Sequence, residues 1–111
     1  MTDRELLKLA AKAAGMTLTW EGDNPPYPRS RRIEQPNLNP PWNPRDDDGD
    51  ALRLAVRLKL SVDFFDDAIT VEHTPDNSQC YEVIEPVGTD PYTATRRAIV
   101  RAAAEIGRAM P

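Results

Sequence analysis

Four aspartates surround one glycine in Asp46-Asp47-Asp48-Gly49-Asp50, directly after Trp42-Asn43-Pro44-Arg45. Carboxylates this close together suggest a calcium site. A calcium loop of the helix-loop-helix kind needs oxygen donors at alternate positions, glycine at the sixth and glutamate at the twelfth. Counted from Asp46, Gly49 falls at the fourth position and Arg57 at the twelfth, so the spacing fails. The same acids suit the start of a helix, where a side-chain oxygen caps free amides and negative charge meets the positive end of the helix dipole. Asp48 or a neighbouring aspartate is the expected cap. Trp42 is expected to pin the preceding loop to the core, ahead of a stiff turn at Asn43 and Pro44.

His73 is the sole histidine and Cys80 the sole cysteine. Histidine can exchange a proton near neutral pH, and an enzyme built on it would need acids such as Asp66, Asp67 or Asp76 to converge beside it. No second metal ligand or nucleophile stands at a fixed spacing from His73. Cys80 lacks a CxxC partner and a glycine-rich nucleophile turn. His73 is therefore read as a surface or strand-end residue and Cys80 as a small buried strand residue. No catalytic residue, metal ligand or cofactor is assigned, and the expectation is a protein that is not an enzyme.

Two arginine groups could meet phosphate. Arg29, Arg31 and Arg32 follow Tyr27, and Arg96, Arg97 and Arg101 share the last helix with Arg108. Both read more simply as solvated charges that pair with acids. Overall charge points the same way. Fourteen basic and eighteen acidic residues give a net charge of -4. Each half of the chain carries seven of the basic and nine of the acidic groups, so no basic half or tail concentrates nucleic-acid phosphates. Nucleic acid remains the weaker partner expectation and protein the stronger, and nothing in the composition opposes self-association. No apolar run approaches membrane-spanning length, and the opening residues have no targeting pattern. No membrane partner is expected, and the cytoplasm is the expected location.

The elements that would position these residues can be read in order. At 111 residues the chain has room for one core, so residues 1–111 are read as a single domain. Thr2 and Glu5 form a capping box ahead of an apolar face of Leu6, Leu7, Leu9, Ala10, Ala13 and Ala14, and Gly15 can end that helix. Residues 17–20 read as a short strand, with Trp20 as a packing residue. Seven prolines between residues 21 and 45 exclude a regular helix there. Tyr27, Ile33, Leu38 and Trp42 make the stretch a long loop laid over the body, a place where function often resides. A second helix follows, with Ala51, Leu52, Leu54, Ala55, Val56 and Leu58 as its packed side.

After Leu60 the periodicity changes from 3.6 residues to two. Strands are expected at 61–65, 69–73 and 79–84. Asp66-Asp67 links the first pair and Thr74-Pro75-Asp76-Asn77-Ser78 the second. Asp90 caps the last helix with Pro91 in its first position. Its packed stripe is expected to run through Tyr92, Thr95, Ile99, Ala102, Ala103, Ile106 and Met110, with the arginines away from it. The whole reads as an α+β domain, a small layered sandwich of a mainly antiparallel sheet and packed helices.

Two stretches also carry a likeness. Trp42-Asn43-Pro44-Arg45-Asp46-Asp47-Asp48-Gly49-Asp50-Ala51-Leu52-Arg53-Leu54-Ala55 resembles the phage ABA sandwich domain family of bacteriophage and prophage proteins. So does Asp90-Pro91-Tyr92-Thr93-Ala94-Thr95-Arg96-Arg97-Ala98-Ile99-Val100-Arg101-Ala102-Ala103-Ala104-Glu105. The resemblance implies a phage-derived origin and a small layered helix-and-sheet fold. It carries no catalytic pattern across, because the family has none established. The resulting expectation is a noncatalytic phage or prophage accessory protein that binds a protein partner. Tyr27 and the six arginines are its candidate contact surface, and residues 42–50 are its structural motif.

Overall fold

A computed structural model describes residues 2–20, 22, 26–28, 42–74 and 80–111. Its elements are α1 (Asp3–Ala13), β1 (Leu18–Thr19), β2 (Tyr27–Pro28), α2 (Asp48–Leu58), β3 (Ser61–Phe64), β4 (Ala68–His73), β5 (Tyr81–Pro86) and α3 (Pro91–Ala109). β3, β4 and β5 form an antiparallel sheet in that order, and β1 pairs with β2 in a separate antiparallel ladder. The chain is an α+β domain with its helices packed against an antiparallel sheet.

The local signals act as their chemistry requires. The Thr2 hydroxyl accepts the Glu5 amide at 3.1 Å while the Glu5 carboxylate accepts the Thr2 amide at 3.3 Å, which closes the capping box. Gly15 follows α1 at φ +73°, a left-handed conformation that costs glycine little. Asp90 caps α3 by accepting the Tyr92 amide at 3.0 Å and the Thr93 hydroxyl at 2.6 Å, and Pro91 takes the first turn.

α3 is the centre of the packing. It lies against β4 and β5 on one side and against α1 and α2 on others. Its buried residues are Ala94, Ala98, Ile99, Val100, Ala102, Ala103, Ala104 and Gly107. A helix covered on several sides needs small side chains, because each methyl in place of a larger group lets a neighbour approach more closely. Closest approach comes at Gly107, where a Cβ would lie 2.0 Å from the carbonyl oxygen of Leu9 in α1. The expected single stripe is thus corrected. Tyr92 and Met110 are exposed, while Ala94, Ala98, Val100 and Ala104 are buried outside it. A single-stripe reading assumes one packed face, and α3 has several.

Other boundaries shift for physical reasons. Residues 27–28, read as loop, pair with β1, the Thr19–Tyr27 and Leu18–Pro28 positions lying opposite each other. The remainder of the proline-rich stretch between Pro28 and Trp42, with Ile33 and Leu38, lies outside the described residues. The third strand starts at Tyr81 rather than at residue 79, leaving Cys80 exposed just before it. Cys80 is therefore not a buried strand residue. The alternation of β4 is as expected, with Ile69 and Val71 buried.

Candidate functional site

The aspartate cluster has a division of labour that its spacing does not reveal. Asp47, not Asp48, caps α2, accepting the Asp50 amide at 2.7 Å. Asp50 turns inward and is buried. One of its oxygens accepts the Asn43 backbone amide at 2.9 Å, and the other accepts Arg53 at 2.8 Å. That hydrogen bond, followed by the nearby charges of Asp50 and Asp47, raises the Arg53 pKa above its ordinary value. Asp48 faces out and pairs with Arg96 at 2.5 Å. Asn43 completes the turn: its carbonyl accepts the Asp46 and Asp47 amides, and its side chain donates to Asp46. Trp42 is 4% exposed and its amide donates to the Pro26 carbonyl at 2.7 Å, while Pro44 is fully buried. Among the described residues no group of three or more histidine, cysteine, aspartate or glutamate side chains is arranged to hold a metal.

The arginines of α3 are absorbed by the fold. Only 15% of the Arg96 side chain is exposed. Its Nε donates to the Arg45 carbonyl at 2.8 Å and another nitrogen reaches the Thr93 hydroxyl at 3.0 Å, so it fastens the turn at 42–47 to α3. Arg45 in turn meets Asp3 of α1 at 3.1 Å. Arg97 and Arg101 both grip the buried carboxylate of Glu85 in β5, Arg97 at 3.0 Å. These three side chains face acids of their own chain before any phosphate. Arg97 and Arg101 are exposed and paired with an acid, as expected, whereas Arg96 is largely covered and corrects the expectation that it lies away from the packing. Arg29, Arg31 and Arg32 lie outside the described residues, and for Tyr27 only the backbone is described.

His73 and the acids proposed beside it are not brought together at one end of the sheet. Asp66 and Asp67 stand in the turn before β4, and His73 closes that strand. At about 3.4 Å per residue, six residues separate Asp67 from His73 by roughly 20 Å. Asp76 lies outside the described residues. The His73 ring stacks near Tyr81, its partner across the ladder, with centroids 6.2 Å apart. Continuing that register puts Cys80 opposite Thr74, whose hydroxyl lies 3.4 Å from the sulfur. Alternation then turns Cys80 to the other face from His73.

A different surface emerges where α2, α3 and β3 meet. Ala51, Leu52, Ala55, Val62, Phe64, Tyr92 and Ile99 line an open apolar groove of about 470 Å³, with Asp48 and Arg96 at its polar margin. Its rim residues Leu52, Phe64 and Tyr92 are 63%, 68% and 69% exposed. The expectation of Leu52 and Val56 on the packed side of α2 is corrected, since both face solvent. Helical spacing explains the error. Ala51, Leu54 and Ala55 already fill the side toward the core, so the positions beside them turn outward. The two-residue alternation of β3 carried a usable signal, since Val62 and Phe64 share one face. Alternation likewise puts Glu85 on the face of Tyr81 and Val83, but its partners Arg97 and Arg101 lie 12 and 16 residues away and only the fold reveals them. Among the described residues no helix is long and apolar enough to cross a membrane. No protein-family model matches the sequence, and comparisons with curated proteins and with solved structures find no match.

Proposed function

We propose that this chain is a noncatalytic accessory protein that binds a protein partner through the groove between α2, α3 and β3. One observation carries the reading: three large apolar side chains, Leu52, Phe64 and Tyr92, stand more than half exposed around one apolar depression. Contiguous apolar surface rimmed by polar groups is characteristic of protein interaction sites, and buried aromatic anchors supply much of the energy when such a site is filled. A phage or prophage setting rests on the likeness of residues 42–55 and 90–105, and on nothing else.

Paired baits test the proposal. The parent protein and a Leu52→Glu variant, both checked for folding, are used to capture proteins from prophage-induced bacterial cells. The expected result is a partner held by the parent, lost by the variant, and shown with purified components to bind saturably. Failure to find any partner sensitive to Leu52, across inducing conditions, would overturn the reading.

A further inference from the structure

The groove is open along an unpaired strand edge, and the register of the sheet shows which backbone groups that edge presents. The Phe65 amide donates to the Ala68 carbonyl at 2.9 Å, closing the hairpin around Asp66 and Asp67. Positions 65 and 68 are therefore a hydrogen-bonded pair. In an antiparallel ladder such pairs alternate with pairs that turn their amides and carbonyls outward. Phe64 opposite Ile69 is the next pair, and Val62 opposite Val71 is two further on. Both fall in the outward class. The N–H and C=O of Val62 and Phe64 thus point away from β4, and β3 has no second neighbour in its sheet among the described residues. The side chains of these two residues line the groove.

We infer that the occupant is an extended segment of a partner protein that adds to β3 as a fourth strand, carries large apolar residues at alternate positions, and has lysine or arginine beside them. This inference rests on the protein-binding reading above and specifies its partner. Strand addition joins the two features of the edge: backbone hydrogen bonds supply affinity while alternate side chains drop into adjacent pockets. Charge selects the basic flanks. Asp63 lies within β3, Asp66 and Asp67 follow it, all three are exposed, and positions 61–67 hold no basic residue.

The same charge disfavours a second copy of this chain. The symmetric antiparallel register that uses the outward groups of both Val62 and Phe64 sets Asp63 directly opposite its own counterpart. Like charges facing each other across a ladder are destabilising. A basic segment from another protein meets no such opposition.

A yeast-displayed library of randomised eight-residue peptides, selected against the whole protein, provides the test. Enriched peptides should alternate large apolar with other residues and carry flanking lysine or arginine. Their affinity should fall at least tenfold when one backbone amide facing β3 is N-methylated, a change that leaves every side chain intact. On the protein, Val62→Pro removes an outward amide and should weaken binding at least tenfold, as should Asp63→Lys combined with Asp66→Lys. The charge variants keep the test usable if the proline variant does not fold.

Enrichment of acidic or nonalternating peptides, or binding indifferent to N-methylation, would overturn strand addition. If such binding still depended on Leu52, the protein-binding reading would stand without it. No enrichment together with no Leu52-sensitive cellular partner would overturn both. A concentration-dependent dimer that Val62→Pro dissociates would show the edge to be occupied by a second copy and would also overturn the inference.

Discussion

The Asp50 carboxylate accepts the Asn43 backbone amide at 2.9 Å, and this bond ties the turn after Trp42 to the first turn of α2. It spans seven residues and is partly buried. The acid cluster is therefore an anchoring device in which each aspartate has a different partner. Asp47 holds the helix start, Asp50 holds the turn, and Asp48 reaches α3 through Arg96.

That division fixes an order of stability losses. Trp42→Ala removes a buried aromatic and should cost about 3–5 kcal/mol. Asp50→Ala leaves the Asn43 amide without its acceptor, at about 1–3 kcal/mol. Asp48 is itself exposed, and its partner Arg96 keeps the Arg45 carbonyl and the Thr93 hydroxyl as acceptors, so Asp48→Ala should cost only about 1 kcal/mol. Denaturant unfolding of the three variants measures the order, and added calcium should leave all of them unchanged. Equal losses for Trp42→Ala and Asp48→Ala would contradict the anchoring role of the tryptophan.

Contact between α1 and α3 depends on an absent methyl group. A Cβ at Gly107 would sit 2.0 Å from the Leu9 carbonyl oxygen, a backbone atom that moves only with its helix. Alanine has the better helix propensity by about 1 kcal/mol, so an isolated α3 would gain from the change. Packing should dominate here. Gly107→Ala is expected to destabilise the protein by about 1–3 kcal/mol net of that gain. A rise in the thermal midpoint would show that the two helices separate at little cost.

Glu85 and its two arginines make an asymmetric set. The acid is buried, whereas the side chains of Arg97 and Arg101 keep about half their surface in water. Removing the acid lets both cations resolvate. Removing both cations strands a buried carboxylate. Arg97→Ala with Arg101→Ala should therefore cost about 3–5 kcal/mol, and Glu85→Gln distinctly less. Unfolding free energies of the two proteins decide the point, and the reverse order would mean that the arginines contribute little beyond solvation.

How far the sequence reveals this molecule depends on the range of the signal. Thr2 with Glu5, Asp90 with Pro91, and the alternation of Ile69 and Val71 are local patterns, and the corresponding caps and strand alternation are present. The α+β architecture follows from the change of period after Leu60. Nonlocal choices are less legible. Leu52 and Val56 have the same apolar character as Leu54, and only the position of α3 decides which side is covered. Arg96 looks solvent-directed until the turn at 42–47 folds onto it from 51 residues away. The groove is likewise made by three elements at once, so no single stretch announces it.

The open face of the sheet supplies a pH-dependent prediction. Glu72 in β4 stands opposite Glu82 in β5, with Asp63 of β3 close by. The Glu72 pKa is raised, first by a hydrogen bond shared with the Glu82 carboxyl, then by loss of hydration, then by the charges of Glu82 and Asp63. A folded-state acid with a raised pKa binds its proton more tightly than the unfolded chain does. Its stabilisation is full below the ordinary glutamate range and is lost as pH rises through the raised value. Glu72→Gln keeps a hydrogen-bonding side chain and removes the charge. Its thermal midpoint should exceed the parent's at neutral pH, and the gap should close as pH falls to about 4 and below. Asp90 titrates in the opposite sense. The Thr93 hydroxyl and then the Tyr92 and Thr93 amides lower its pKa, so its capping contribution is present above the ordinary aspartate range and fades as pH falls. Asp90→Ala should accordingly lie below the parent at neutral pH, with the two converging in acid. Melting curves of the parent and both variants across that range separate the effects by sign, and a pH-independent offset for Glu72→Gln would refute the carboxyl pairing on the open face.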